Sequence, residues 1–230
     1  MTDLHTHILP GIDDGANSVE ESLAMLQMEA VQGVDRVALT PHFYSVNEDV
    51  HSFLSRRDAA YKKLVERLEG VACPELILGA EVALLPGISE VPDLDKLCYE
   101  GTKILLVELP MIPWTDNIFN QLHKLESKRG LMPMIAHIDR YFHFQKKEAF
   151  ERLLEMGYPV QVSARAILRN LGRVRALRLL RDYEALLISD CHDTKNRSPQ
   201  IEEAMKIVNK KLGITVASRA SKFTDEVLYD

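Results

Sequence analysis

Two histidines one residue apart, His5 and His7, stand in an apolar, strand-like run at the start of this chain. Alternate residues of a strand project to the same face, so both imidazoles point one way, as metal binding at a strand end requires. Further ligand-type residues follow singly, each just past a short apolar run. They are His42 after Val37-Ala38-Leu39-Thr40, Glu81 after Leu76-Ile77-Leu78-Gly79, Glu108 after Ile104-Leu105-Leu106-Val107, and His137 after Met134-Ile135-Ala136. The pair Asp190 and His192 follows Leu186-Leu187-Ile188-Ser189, and Asp14 lies in Pro10-Gly11-Ile12-Asp13-Asp14-Gly15. These nine residues are five imidazoles and four carboxylates with no thiolate. Such donors suit manganese, iron or zinc, and nine exceed what one ion takes, so two to three divalent metal ions are expected. Three divalent ions outweigh four carboxylates, leaving a positive pocket that draws in an anion. A cluster of this kind polarises phosphoryl oxygens, lowers the pKa of water and clamps an in-line displacement, which is the chemistry of phosphoester hydrolysis. Arg140, three residues after His137, and Arg197, five after His192, could fork onto the non-bridging phosphate oxygens as catalytic groups.

Such residues need elements that bring them together. Strand-like and helix-like runs alternate along the chain, the pattern of β/α units around a parallel sheet. Strands are expected at 3–8, 35–40, 75–82, 103–108, 132–137, 159–163 and 185–189. Helices are expected from Ser18 to Gln32 behind a Ser18-Val19-Glu20-Glu21 capping box, from Glu48 to Glu69, and from Asp116 to Lys128 before Gly130. Others fall at 146–156, 165–182, 198–211 and 221–228. An open sheet would spread its strand ends too widely for nine ligands to meet. A distorted TIM-like (β/α)7 barrel, with the metal site at the C-terminal ends of its strands, turns them all into one mouth. Pro86 to Asp95 and Pro110 to Asn117 then form longer rim loops.

The chain has 230 residues, 46% hydrophobic and 27% charged, so residues 1–230 read as a single metallophosphoesterase domain with a sizeable core. A net charge of −6 argues against generic nucleic-acid binding, which needs a basic face. Cys73, Cys98 and Cys191 show no paired spacing; no disulfide is expected and a reducing, cytoplasmic location fits. No apolar run approaches the roughly 18 to 20 residues that cross a bilayer, so membrane insertion is not expected.

On these residues the chain resembles the polymerase and histidinol phosphatase (PHP) superfamily. Within it, the closest likeness is to the bacterial manganese-dependent protein-tyrosine phosphatases of capsule and exopolysaccharide operons. The likeness rests on Asp3-Leu4-His5-Thr6-His7-Ile8-Leu9-Pro10-Gly11-Ile12-Asp13-Asp14-Gly15, then on Thr40-Pro41-His42, Gly79-Ala80-Glu81, Glu108-Leu109-Pro110, His137-Ile138-Asp139-Arg140 and Ser189-Asp190-Cys191-His192. It implies a first ion on His5, His7, Glu81 and Asp190, a second on Glu81, Glu108 and His137, and a third on Asp14, His42 and His192. It also implies phosphotyrosine on the tail of a tyrosine autokinase as substrate, and a part in regulating capsular or exopolysaccharide synthesis. The family usually shows a small residue in place of Cys191, Asn in place of Asp193 and Pro in place of Ile138, and a longer segment than 164–184. Histidinol phosphate hydrolysis or a nuclease activity is the alternative that the same cluster would serve.

Competing assignments exist for several residues. Cys191-His192-Asp193-Thr194-Lys195-Asn196-Arg197-Ser198 matches the C-x5-R-[ST] loop of cysteine-dependent phosphatases. That loop needs glycine for close backbone approach and a depressed thiol pKa, and the neighbouring Asp190 and Asp193 oppose the latter, so packing is preferred for Cys191. Asp193 is a candidate general acid, and Trp114 either stacks on a substrate ring or covers the barrel mouth. His51, His123 and His143 lack strand-end positions and are assigned to the surface.

Overall fold

The computed structural model describes residues 1–68, 70, 72–183, 185–226 and 228. Helices and strands alternate as β1 (Thr2–Thr6), α1 (Val19–Val31), β2 (Arg36–Leu39), β3 (His42–Phe43), α2 (Val50–Leu68), β4 (Glu75–Leu78), β5 (Glu81–Ala83) and β6 (Ile104–Glu108). The second half continues with α3 (Asp116–Arg129), β7 (Met132–Ile135), α4 (Lys147–Glu155), β8 (Val160–Ser163), α5 (Ala164–Leu168), α6 (Arg173–Asp182), β9 (Ala185–Ile188), α7 (Ile201–Leu212) and α8 (Ile214–Glu226). All strand pairings are parallel, in the orders β1-β2-β4 and β3-β5-β6-β7-β8-β9.

The expected strand 75–82 is broken in the middle and resumes as β5 after Gly79-Ala80, whereas 35–40 forms as β2 and its line is broken only beyond the expected end, continuing as β3 after Thr40-Pro41. Pro41 has no N–H for a ladder, and a Cβ on Gly79 would lie 3.1 Å from the Tyr99 ring. Counting each broken strand once, seven strands follow one another in sequence order, as in the expected seven-stranded layout. The first and last meet at their C-terminal ends through a parallel bridge, Thr6 to Cys191. His7 N there donates to Cys191 O at 2.9 Å and Asp190 N to His5 O at 3.0 Å. Pairing is thin between β7 and β8, with one matched pair, Ile135 and Val160. Pro133 occupies the β7 position whose N–H would face β8, because Met132 and Ala136 donate to the β6 side and Ile135 to the β8 side.

One apolar cluster draws Leu4, Ala38, Ile77, Leu106, Met134 and Leu186 from six different strands. Larger clusters join strands to helices. The Ser18 side chain caps α1 by accepting from Glu21 N at 3.2 Å, while Glu21 reaches back to Asn17 N. The expected helix 165–182 is two helices, parted at Gly172 with φ 90°. The tail forms a helix from Ile214, seven residues before the expected start at 221, directly after Gly213 with φ 85°. Glu69, the expected end of the second helix, and position 227 of the tail helix lie outside the described residues. Among the described residues no helix is long and apolar enough to cross a membrane.

Candidate metal centre

At the floor of the mouth His5, His7, Glu81 and His137 are all buried to within 1%. The β1 register shifts between Asp3 and Thr6, an irregularity of the kind that re-aims side chains next to sites. His5 Nδ1 lies 2.7 Å from Gln161 Oε1, and the amide of Gln161 is oriented by Nε2 donating to Leu4 O and Tyr99 Oη. The acceptor at Nδ1 means that this nitrogen carries the proton and Nε2 faces the site. Asp13 Oδ2 does the same for His7 Nδ1, at 2.7 Å. The two Nε2 atoms therefore meet head to head at 3.2 Å, with Glu81 Oε2 at 3.1 Å from one and 3.3 Å from the other. That oxygen makes no hydrogen bond, although it is buried. Three lone-pair-bearing atoms aimed at one another require something positive between them, either protons or a cation.

The electrostatics carry the same demand. Burial pulls the His7 imidazole towards neutrality, but the Asp13 hydrogen bond and the negative charges of Asp13 and Glu81 outweigh it and raise its pKa to about 10. Burial raises Glu81, yet His5 and His137 hold it well below the usual carboxylate range. Asp190 is likewise lowered, burial being overcome by His5, Arg140, His137 and Arg197. His192 falls to about 2 through burial and the charge of His7, so it is a neutral donor. Its Nδ1–H donates to Asp190 O at 3.0 Å, leaving Nε2 free at 3.5 Å from Asp14 Oδ1.

Among the described residues, three groups bring donor atoms within 4.8 Å of one another and could each hold a metal ion: His5, His7 and Glu81; His7, Asp14, His42 and His192; and His42, Glu81 and Glu108. His137 Nε2 contacts Glu81 Oε1 at 2.7 Å and Glu108 at 3.7 Å, and Asp190 lies 3.8 Å from both His5 and His7. All nine expected positions are thus gathered in one mouth. The all-nitrogen-and-oxygen donor set and the orphaned Glu81 Oε2 fit divalent cations. Glu108 is pushed up by burial and by the charge of Glu81 beside it.

Backbone strain collects here. His137 has φ 26° and Asp190 φ 55°, left-handed values that cost a side-chain-bearing residue free energy. Gly15 is required by contact: a Cβ would sit 2.0 Å from His7 O, so the Asp13-Asp14 loop closes over β1 only with glycine there. Arg140 Nη2 reaches Asp190 Oδ2 at 2.5 Å and Arg197 Nη2 reaches it at 3.0 Å, with both guanidiniums at the open edge.

The structure decides the competing readings. Trp114 is 7% exposed and packs against Tyr141 and Phe150, so it cannot stack on a substrate. Asp193 Oδ1 accepts from the backbone N–H groups of Lys195, Asn196 and Arg197; these outweigh its slight burial and lower its pKa, so it is a loop cap without a proton to give. Cys191 is fully buried, its thiol pushed far up by burial, Glu29 and Asp3, which excludes the cysteine-phosphatase reading. His51 pairs with Asp93 on the surface. The supporting residues Asp3, Asp13, Glu29 and Gln161 are absent from the expected set. Asp3 Oδ1 accepts from the N–H groups of His5 and Ser189, tying β1 to the turn that carries Asp190. A signal existed for Asp3, which precedes His5 by two residues, and for Gln161, a lone amide in Val160-Gln161-Val162.

A family model described as capsular polysaccharide synthesis, CpsB/CapC, matches residues 1–224. The chain is 28% identical over 229 residues to the tyrosine-protein phosphatase YwqE of Bacillus subtilis (strain 168), covering 93% of this chain and 85% of the relative. It is 29% identical over 233 residues to the tyrosine-protein phosphatase CpsB of Streptococcus pneumoniae, covering 93% and 91%. A solved structure from work on YwqE and CpsB, described as unique metal-dependent tyrosine phosphatases, matches with a TM-score of 0.83 at 25% identity, over 99% of this chain and 94% of that one. A TatD-family hydrolase from Entamoeba histolytica shares the fold, with a TM-score of 0.60 at 8% identity over 100% of this chain and 98% of that one.

Proposed function

This chain belongs to the CpsB/CapC capsular polysaccharide synthesis family, and from that premise we propose that it is a metal-dependent protein-tyrosine phosphatase. Its target in this reading is phosphotyrosine on a tyrosine autokinase that drives capsule or exopolysaccharide assembly, met in the cytoplasm, with residues 1–230 acting as one catalytic domain. The observation that carries the reading is the convergence of His5 Nε2, His7 Nε2 and Glu81 Oε2. The named relatives favour phosphotyrosine over histidinol phosphate or a nucleic acid.

His5, His7, Glu81 and Asp190 would hold one ion, Glu81, Glu108 and His137 a second, and Asp14, His42 and His192 a third, with manganese the first choice. Bound there, such ions supply Lewis acidity to a phosphoryl oxygen and a deprotonated water for in-line attack. Arg140 and Arg197 reach across the same edge and are placed to take the non-bridging oxygens, compensating charge that grows in the transition state. Asp190 keeps both guanidiniums aimed at the mouth until substrate arrives. A phenolate, with a parent pKa near 10, leaves without a strong general acid, consistent with Asp193 having no proton to donate.

Purified protein should hydrolyse p-nitrophenyl phosphate and a phosphotyrosine peptide, lose both activities in chelator and recover them with manganese. Cys191→Ser should keep the metal-dependent rate. Activity that persists in chelator and vanishes in Cys191→Ser would sink the proposal.

A further inference from the structure

Beside the metal centre lies a second concavity of about 330 Å³, lined in part by Arg140, Arg197, Arg165 and Arg169. Residues 164–181 contain six arginines and no acid. Four of the six are accounted for away from this pocket or by other partners. Arg173 donates to Ile167 O and Leu168 O, Arg175 to Phe142 O, Arg181 pairs with Asp182, and Arg178 lies near the same aspartate. Arg165 and Arg169 differ. They are four residues apart on α5 and its C-cap, hence on one face, and both line the pocket. Neither has an ionic or hydrogen-bonding side-chain partner among the described residues.

The pocket's acids compensate them only in part, Asp190 alone acting on Arg165 against the neighbouring arginines. Asp190 is engaged by Arg140 and Arg197, and both oxygens of Asp139 accept from Ser163. Burial lowers the Arg165 pKa, and the charges of Arg169, Arg197 and Arg140 lower it further. Four arginines lining one space, in a chain of net charge −6, leave local positive charge that attracts an incoming anion.

We infer that Arg165 and Arg169 form a second anion subsite, which binds a phosphate or carboxylate group flanking the scissile phosphotyrosine on the same substrate segment. The inference rests on the phosphatase reading above and specifies its substrate: a peptide with clustered negative charge. Arg140 and Arg197, shared between pocket and metal centre, make the two anion sites continuous. The forked donors of Arg165 and Arg169 suit phosphate most closely and carboxylate next.

The test uses the full chain with manganese and three peptide sets. Each set carries one phosphotyrosine; the flanking positions are neutral, or carry glutamate, or carry a second phosphotyrosine, walked along both sides. Wild type should cleave the best doubly anionic peptide with kcat/KM about ten-fold above the neutral one, chiefly through KM, and the advantage should shrink with added salt. Preference for phosphate alone marks a phosphate subsite, and preference for both anions marks a general one. Arg165→Ala/Arg169→Ala should reduce the ratio of the two kcat/KM values to below about two-fold, and Arg165→Lys/Arg169→Lys should restore part of it. Thermal melting of each variant checks its fold. A wild type that cleaves all peptides equally, or a folded double alanine variant that keeps the full preference, overturns the subsite. A wild type inactive on the neutral peptide and on p-nitrophenyl phosphate overturns the phosphatase reading instead.

Discussion

The floor and the rim of the metal centre are built from the same residue types in opposite circumstances. On the floor, His5, His7, Glu81 and His137 are sealed from solvent, and Gln161 and Asp13 dictate which imidazole nitrogen of His5 and His7 is presented. On the rim, the Asp14 side chain is 62% exposed, His42 is 15% exposed, and Asp14 contacts its neighbours only at 3.4 Å or beyond. The floor is preorganised, so a cation entering it pays little ordering entropy. The rim must gather its ligands as it binds. Tight and weak cation sites should therefore coexist a few ångströms apart.

The sharpest way to break this contrast is to remove one carboxylate from each part. Glu81→Ala leaves several buried imidazoles without their counter-charge and should lower kcat/KM for p-nitrophenyl phosphate by about 10³-fold. Asp14→Ala should cost less than about ten-fold and reduce the bound metal, by elemental analysis, by one ion. Equal losses in the two variants would erase the distinction between floor and rim.

The next largest effects sharpen the role of the supporting groups. Gln161→Leu and Asp13→Ala release the imidazole tautomers and should each weaken manganese affinity by about 10- to 100-fold in calorimetry, with Gln161→Leu leaving the rim ion in place. Gly15→Ala forces a Cβ to within 2.0 Å of His7 O. It should destabilise the protein by about 2 kcal/mol, seen as a melting temperature several degrees lower.

The smallest effect is a matter of protons. In metal-free protein the His7 pKa is raised from 6.5 to about 10 by Asp13 and Glu81 against the opposing pull of burial. His7 therefore adds stability that is complete below pH 6.5 and fades as pH climbs towards 10. A cation has to displace that proton. Manganese binding at neutral pH should release about one proton from this residue, read from calorimetry in buffers of different ionisation enthalpy, and affinity should rise with pH through that window. Binding without proton release would mean that His7 is neutral before the ion arrives.

Local pattern made the donors legible: each sits at the end of an apolar run, and the period of a strand sets which residues share a face. It also made most helices legible, through Ser18 at one start and Gly130 at one end, whose φ of 63° satisfies a C-cap. Breaks inside elements were hidden. Gly79 interrupts a strand whose hydrophobic pattern runs through it, and Gly172 splits a helix that periodicity reads as whole. Trp114 and Asp193 were ambiguous because a rim loop can turn a side chain inward or outward with the same residues. Only Tyr141 and Phe150, and three backbone N–H groups, decide the two cases.

From its residues alone this chain determines a metal-binding donor set and an alternating β/α framework, since both follow from side-chain chemistry and the short-range periods of backbone geometry. The tertiary structure decides which nitrogen of His5 faces a cation, because Gln161, 156 positions away in the chain, holds the other. It also decides that Arg165 and Arg169 face the pocket while Arg173 and Arg175 serve the backbone. Contacts between residues so far apart depend on how strands and helices pack in three dimensions, and no local pattern encodes that.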